Sequence, residues 1–255
     1  MVELIWTQMR VIAALTLRET RMTFGTSQVG YLWAIIQPLF SISFLVFIFY
    51  LIGRHSPFGP SLALFFSTAI LILEYYNKLS VSLMRAFTSN VSLLTYPMIK
   101  ETDTLFARFI LITMTLTVIS VLFYGALIGL GFAEPPAHPI KIVAAFFATG
   151  FFGFGIGTMN AVIYTSFPSW QHVEKSLGRP LFFLSGVFYI PSSMPPEAIA
   201  VLKWNPIIHL VELNREGFYQ NYQSDVLNIG YPLGLAAGLV ALGLFWERIT
   251  RKKRV

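Results

Sequence analysis

The chain has 255 residues, 55% of them hydrophobic and only 12% charged, with a formal net charge of +6 and no cysteine. Soluble domains carry about 25% charged residues, so this is the composition of an integral membrane protein. The absence of cysteine excludes disulfides, thiol catalysis and Cys-ligated metals, and no basic stripe is interleaved with exposed polar residues in the manner of nucleic-acid binders.

Residues 3 to 24 read as an amphipathic helix. Glu3, Thr7, Arg10, Ala14, Arg18 and Arg21 recur at steps of three and four along one face, with Ile5, Met9, Ile12 and Ala13 roughly opposite. A helix of this kind lies flat on a membrane surface or packs on the spans. A cleavable signal is not expected: the apolar run Val11 to Leu17 is only 7 residues long, is bracketed by Arg10 and Arg18, and precedes no small-residue cleavage pattern.

Six hydrophobic segments follow, at 31–52, 61–77, 105–132, 142–167, 173–190 and 227–246. The first is 22 residues long, enough to cover the roughly 30 Å hydrocarbon core at about 1.5 Å per residue, and it carries Gln37 and Pro38. The second ends in the polar group Glu74-Tyr75-Tyr76-Asn77-Lys78. The fifth is irregular: the apolar stretch Pro180 to Ile190 is 11 residues, too short to cross alone. It needs the amphipathic run from Val173 in front of it. Pro191-Ser192-Ser193-Met194-Pro195-Pro196 then breaks any helix. From 197 to 223, apolar turns alternate with Lys203, Asn205-Pro206, His209, Glu212, Arg215 and Glu216, which reads as two short helices entering the outer leaflet or packing on it. Glu197, Glu212 and Glu216 are expected to face the outer solution. The expected fold is therefore a single all-α membrane domain over 1–255, with re-entrant helices at 191–223.

Charge orients this array. Fourteen of the 18 Lys and Arg fall in four clusters that six spans place on one side: Arg10/Arg18/Arg21, Lys78/Arg85/Lys100/Arg108, Lys175/Arg179, and Arg248 with Arg251 to Arg254. Short loops rich in Lys and Arg stay in the cytoplasm, so both termini are expected there.

Catalytic constellations are poor. His55, His138, His172 and His209 are scattered, and neither a G-x-S-x-G elbow nor a G-x-x-x-x-G-K-[ST] phosphate loop occurs. Polar residues near spans carry more weight, since a charge in hydrocarbon costs about 2.5 kcal/mol or more; Glu74 and Gln37 are the candidates. Tyr31, Trp33, Tyr75, Tyr76, Tyr189 and Trp204 stand at span ends, where an interfacial belt or a sugar-stacking path would use them. Glycines at four-residue spacing (Gly125/Gly129, Gly153/Gly157, Gly230/Gly234/Gly238) permit close helix approach within one subunit or across a dimer. The loop 87–103 carries Leu93, Leu94, Tyr96 and Met98, apolar residues that a partner surface or the membrane surface would cover.

These features together resemble the membrane subunits of type-2 ABC exporters of capsular polysaccharide, with O-antigen and teichoic acid permeases as relatives. The resemblance covers essentially the whole chain. It rests on Leu17-Arg18-Glu19-Thr20-Arg21 followed by Gly30 to Pro38, on Ser89-Asn90 through Tyr96-Pro97, on Ser185-Gly186-Val187-Phe188-Tyr189 with Met194-Pro195, and on Trp204-Asn205-Pro206 with Arg215 and Gly217. It implies a homodimer of six-span subunits in the bacterial inner membrane above a separate ATPase dimer that binds ATP and Mg, with no cofactor in this chain. It implies that Ser89, Asn90, Leu93, Leu94, Tyr96 and Pro97 form the part that docks on the ATPase. A path for lipid-linked polymer would use Gln37, Glu74, Tyr75, Lys78, Arg85, Arg108 and Tyr189. Pro191, Met194, Pro195, Trp204, Asn205 and Pro206 would form an outer gate. The segment 185–195 and the 255-residue length favour the capsule branch, which implies a periplasmic co-polymerase and an outer-membrane channel as further partners. The rival readings are an exporter of O-antigen, teichoic acid, a small lipid or a drug, an integral-membrane transferase, and a passive channel. The transferase would need a clustered acidic or His site, and the channel a polar stripe, for which Thr113, Thr115, Thr117 and Ser120 are the nearest approach.

Overall fold

The computed structural model describes residues 2–25, 28–94, 96 and 98–251. Pro97 and the tail residues Lys252, Lys253 and Arg254 lie outside the described residues, as do the side chains of Glu3, Ile5, Tyr31, Leu94 and Arg251. The described residues form ten α-helices and two short 3-10 turns, with no strand among them.

Helix α1 (Val2–Phe24) leads into α2 (Gln28–Leu51), which carries Pro38 within it. Helix α3 (Leu62–Met84) starts at an N-cap, the Ser61 hydroxyl accepting from the Leu64 N–H at 3.2 Å. A 3-10 turn at Thr88–Asn90 runs into the one-turn α4 (Val91–Leu94). Helix α5 (Glu101–Gly129) begins with acidic Glu101 and Asp103 in its first turn, where the helix dipole favours them, and Asp103 accepts from the Lys100 N–H at 2.8 Å. Helix α6 (Pro139–Ser166) opens on Pro139, whose absent N–H costs nothing in the first turn. Then come α7 (Trp170–Leu184), a second 3-10 turn at Pro191–Ser193, α8 (Pro196–Leu202), α9 (Pro206–Phe218) and α10 (Gly230–Arg251).

Among the described residues, α3, α5, α6 and α10 (over Gly230–Thr250) are long and apolar enough to cross a membrane, and α2 contributes a shorter apolar stretch, Ile35–Leu51. Helix α7 is the exception. Its 15 residues reach about 22 Å at 1.5 Å per residue, none of them buried, and the helix stops at Leu184 rather than reaching residue 190. The reason is a turn at Gly186, whose φ of +74° is open to glycine at little cost. Helix α3 departs in the other direction. It continues past Asn77 to Met84, because Leu79, Leu83 and Met84 are core positions on the face opposite Glu74 and Lys78.

Helix α3 is the central element, and its neighbours are close because they are small where they meet it. A Cβ on Gly153 would stand 2.8 Å from Leu79, and one on Gly157 would stand 2.7 Å from Leu83. Gly155 meets the backbone of Ala236 on α10. These glycines therefore serve packing within the subunit, whereas a Cβ on Gly125, Gly129, Gly234 or Gly238 would meet nothing within 4 Å among the described residues. The contacts of α3 with α5 (Ser82 with Arg108, Tyr75 with Thr113, Ser67 with Tyr124) make that pair antiparallel. With α6 it runs parallel, which sets one end of the bundle at α1 and the turn 88–94 and the other end at α9.

Helix α1 is turned differently from the expectation. Its inward stripe is Ile12, Leu15 and Glu19, with Leu15 and Glu19 buried, while Trp6, Met9, Ala13 and Leu17 face outward. An outward apolar stripe on a helix at the bundle's end suits a membrane surface.

Candidate functional site: a mixed-charge groove at the α1 end

A cavity of about 860 Å³ opens between α1, α2, α3, α5 and α7. Cationic Lys78, Arg85 and Arg108 line it together with acidic Glu19 and Glu74, polar Gln37, Ser41, Asn77, Ser82 and Ser89, and aromatic Phe40, Phe44 and Phe182. A smaller recess of about 310 Å³ shares Glu19, Gln37, Lys78 and Arg108 and extends toward Trp33 and Thr115. On the far side of Asn77, Val81 and Arg85, a third cavity of about 520 Å³ is lined by Gln171, His172, Glu174 and Lys175 of α7.

Helical spacing puts these groups together. Glu74, Lys78 and Arg85 recur at steps of four and seven on one face of α3, and Glu74 holds Lys78 in an i,i+4 ion pair at 3.1 Å. Five of the seven residues expected along the path, Gln37, Glu74, Lys78, Arg85 and Arg108, share this groove. The other two stand elsewhere. Tyr75 is one residue, about 100°, round the helix from Glu74; it is buried between α5 and α6, bonded to Thr113 at 2.8 Å and stacked on Phe146. Tyr189 lies at the α9 end, where its carbonyl accepts from Arg215 at 3.1 Å.

The groove's floor is a buried network centred on Glu19, which the expected site did not include. Arg108 donates through Nε to Glu19 at 3.1 Å and through a second nitrogen to the Ser82 carbonyl at 2.7 Å. Asn90 donates to the same Glu19 carboxylate and to the Ala86 carbonyl, each at 2.9 Å, and accepts from Arg18 at 2.6 Å. Arg108, Glu19 and Asn90 are only 9%, 6% and 1% exposed. The sequence signal was Glu19 itself: an acid four residues after Leu15, inside the stripe of α1 that packs inward. The set expected to dock on a partner is split accordingly. Asn90 is an internal anchor, Leu93 is half-buried, and Ser89 and Tyr96 are exposed, Tyr96 by 61%. Val91 and Met98 are exposed beside them.

The α9 end is built from caged charges. Residues Ile207 to Phe218 are buried without a break. Glu212 and Arg215 pair at 3.1 Å with side chains 1% and 0% exposed. Arg215 also donates to the Gly186 carbonyl at 2.6 Å and lies 4.1 Å above the Phe65 ring. Tyr222 donates to the second Glu212 oxygen at 2.7 Å. Burial first, and the adjoining Glu212 second, push the Tyr222 phenol up, so it remains a donor. Glu216 is held by Lys141 at 2.8 Å and by the Ser224 N–H at 3.1 Å. The expectation that Glu212 and Glu216 face solution is thus corrected, since each is buried among partners; Glu197 is exposed. In the expected gate, Asn205 caps α9 and ties it to Ser185 at 3.1 Å, Pro206 opens that helix, Pro191 is buried, Met194 is half-buried, and Pro195 and Trp204 are exposed.

The pattern of the ABC-2 type transporter family matches residues 10–219, which span both the groove and the caged end. The chain belongs to that family. Among known members it is 30% identical to the polysialic acid transport protein KpsM of Escherichia coli, over 86% of this chain and 85% of that protein. It is 27% identical to the capsule polysaccharide export inner-membrane protein CtrC of Neisseria meningitidis serogroup B, and 25% identical to BexB, the protein of the same description from Haemophilus influenzae. Each of those two alignments covers 93% of this chain and 89% of the relative. Within the ABC-2 family frame, the matched span takes in α1 from Arg10, the turn 88–94 and all of α9.

Proposed function

We propose that the chain is the permease subunit of an ATP-driven exporter that moves lipid-linked capsular polysaccharide across the bacterial inner membrane. The observation that carries this reading is the groove, in which cations, amides, hydroxyls and aromatic rings adjoin an exposed turn bearing Val91, Tyr96 and Met98. Aromatic faces and hydrogen-bonding side chains suit sugars, and Lys78, Arg85 and Arg108 suit acidic residues or a terminal phosphate. The naming of KpsM as a polysialic acid transport protein, and of CtrC and BexB as capsule polysaccharide export proteins, supports the same substrate class.

In this reading the α1 end faces the cytoplasm, in keeping with the basic residues of α1, of 78–108 and of α7. Helices α2, α3, α5, α6 and α10 span the bilayer, and α7 with the segment after it completes a sixth crossing. Helices α8 and α9 re-enter from the periplasmic side, where the non-helical backbone of 185–190 is buried or half-buried in protein. Two copies form a homodimer and the polymer passes along their interface. ATP and Mg belong to a separate ATPase dimer, on which residues 88–98 dock; closure of that dimer drags the docked turns and, through them, α3 and α5. A periplasmic co-polymerase and an outer-membrane channel continue the route.

The test is reconstitution of the chain with its ATPase into sealed vesicles. Lipid-linked polymer should become protected from outside glycosidase only with ATP and only when both proteins are present. Equal protection without ATP would contradict the reading.

A further inference from the structure

Glu19 holds two groups with different jobs. One is Arg108, a cation that lines the groove; the other is Asn90, which fastens the exposed turn to the Ala86 carbonyl. One buried carboxylate thus joins the proposed substrate site to the proposed ATPase-docking turn.

The groove's other cations are differently placed. Lys78 is held by Glu74 on its own helix, and among the described residues Arg85 has no carboxylate within ion-pair range. An anion entering beside Arg85 shares the cavity with Arg108 and competes with Glu19 for its guanidinium. A buried carboxylate that loses its cation is left uncompensated. Arg18, already bonded to Asn90 at 2.6 Å, is the nearest replacement on α1. Re-pairing of Glu19 with Arg18 would pull on Asn90 and shift the 3-10 turn that leads to Val91 and Tyr96.

We propose that Glu19 is a positioning residue of transport coupling: it competes with the anionic group of the substrate for Arg108, and through Asn90 it transmits occupancy of the groove to the docking turn. This rests on the exporter reading of the groove. Coupling of two sites is reciprocal, so a nucleotide state that moves the turn changes the anion affinity of the groove.

The test uses the full permease–ATPase complex in phosphatidylcholine nanodiscs, with phosphatidic acid as the anionic probe. In the wild-type complex phosphatidic acid raises ATP hydrolysis. In Asn90→Ala, which removes none of the groove's three cations, phosphatidic acid binds with unchanged affinity but the stimulation is lost. In Glu19→Gln, hydrolysis stands at the stimulated level before lipid is added, and Glu19→Asp restores part of the response. Wild-type stimulation in Asn90→Ala would overturn the proposal. So would a loss of phosphatidic acid binding in that variant, or failure of both Asn90→Ala and Glu19→Gln to assemble, which would make the network a fixed pin. ATP-driven export of lipid-linked polymer is measured on the same wild-type sample. Its absence would sink the exporter reading, whereas intact export with a lipid-stimulated Asn90→Ala complex would sink the relay alone.

Discussion

Both ends of the bundle use an Arg–Glu pair, and they use it in opposite ways. At the α9 end Arg215 and Glu212 are sealed, with every neighbour fixed: two backbone carbonyls, a phenol donor and the Phe65 ring. At the α1 end Arg108 and Glu19 border a cavity of about 860 Å³ and reach a turn whose next residues are exposed. The chemistry is the same; what differs is whether a third party can enter. A caged pair specifies one arrangement of the chain, and a pair at a cavity wall has alternatives within reach. The comparison assigns stability to the α9 end and responsiveness to the α1 end.

The largest effect should come from breaking the sealed pair. Arg215→Met leaves Glu212 buried without its cation, a loss of about 3–5 kcal/mol, and should abolish folded protein, read as loss of a monodisperse peak in mild detergent. Gly157→Leu forces a side chain against Leu83 and should cost about 1–3 kcal/mol, seen as a lower Tm with the protein still folded. Tyr96→Asp alters an exposed residue and should change stability by no more than about 0.5 kcal/mol, yet surface polysaccharide should disappear; retained capsule would remove the docking role from the turn. Lys78→Gln breaks an i,i+4 pair worth about 0.3–0.5 kcal/mol. It should leave the Tm nearly unchanged and lower export several-fold, and if export were unaffected the groove would lose its claim as the path. The smallest perturbation tests the geometry itself. In this cysteine-free chain, Glu197→Cys should label with an impermeant reagent added outside the inner membrane. Labelling of residue 197 only from the cytoplasm would invert the topology.

Much of the architecture was legible because bilayer spans must be long and apolar, and 105–132 and 142–167 coincide with α5 and α6 to within a turn. The misreadings share a cause. Hydropathy ended the second segment at Asn77, but the polar residues there occupy one face of α3 while Leu79 and Leu83 keep the other in the core. It extended the fifth segment to residue 190, but the apolar stretch 185–190 is held by Arg215 through the Gly186 and Tyr189 carbonyls, 29 and 26 residues away. Of the site, the cations of α3 and α5 were visible as a charge cluster. The role of Glu19 is not legible in the sequence, because its partners Arg108 and Asn90 are 89 and 71 residues distant. Tyr75 stands out in the sequence as an aromatic at a span end, whereas its ring packs on Phe146 and its hydroxyl bonds to Thr113.

The central claim is that this chain works as the permease for a separate motor. The most direct measurement is gentle affinity purification from its native membrane, followed by identification of what accompanies it and an ATPase assay with lipid-linked polysaccharide. The account predicts a stoichiometric P-loop ATPase whose hydrolysis rates respond to the polymer. A chain that purifies alone at every detergent strength, with no ATPase attached, would contradict it.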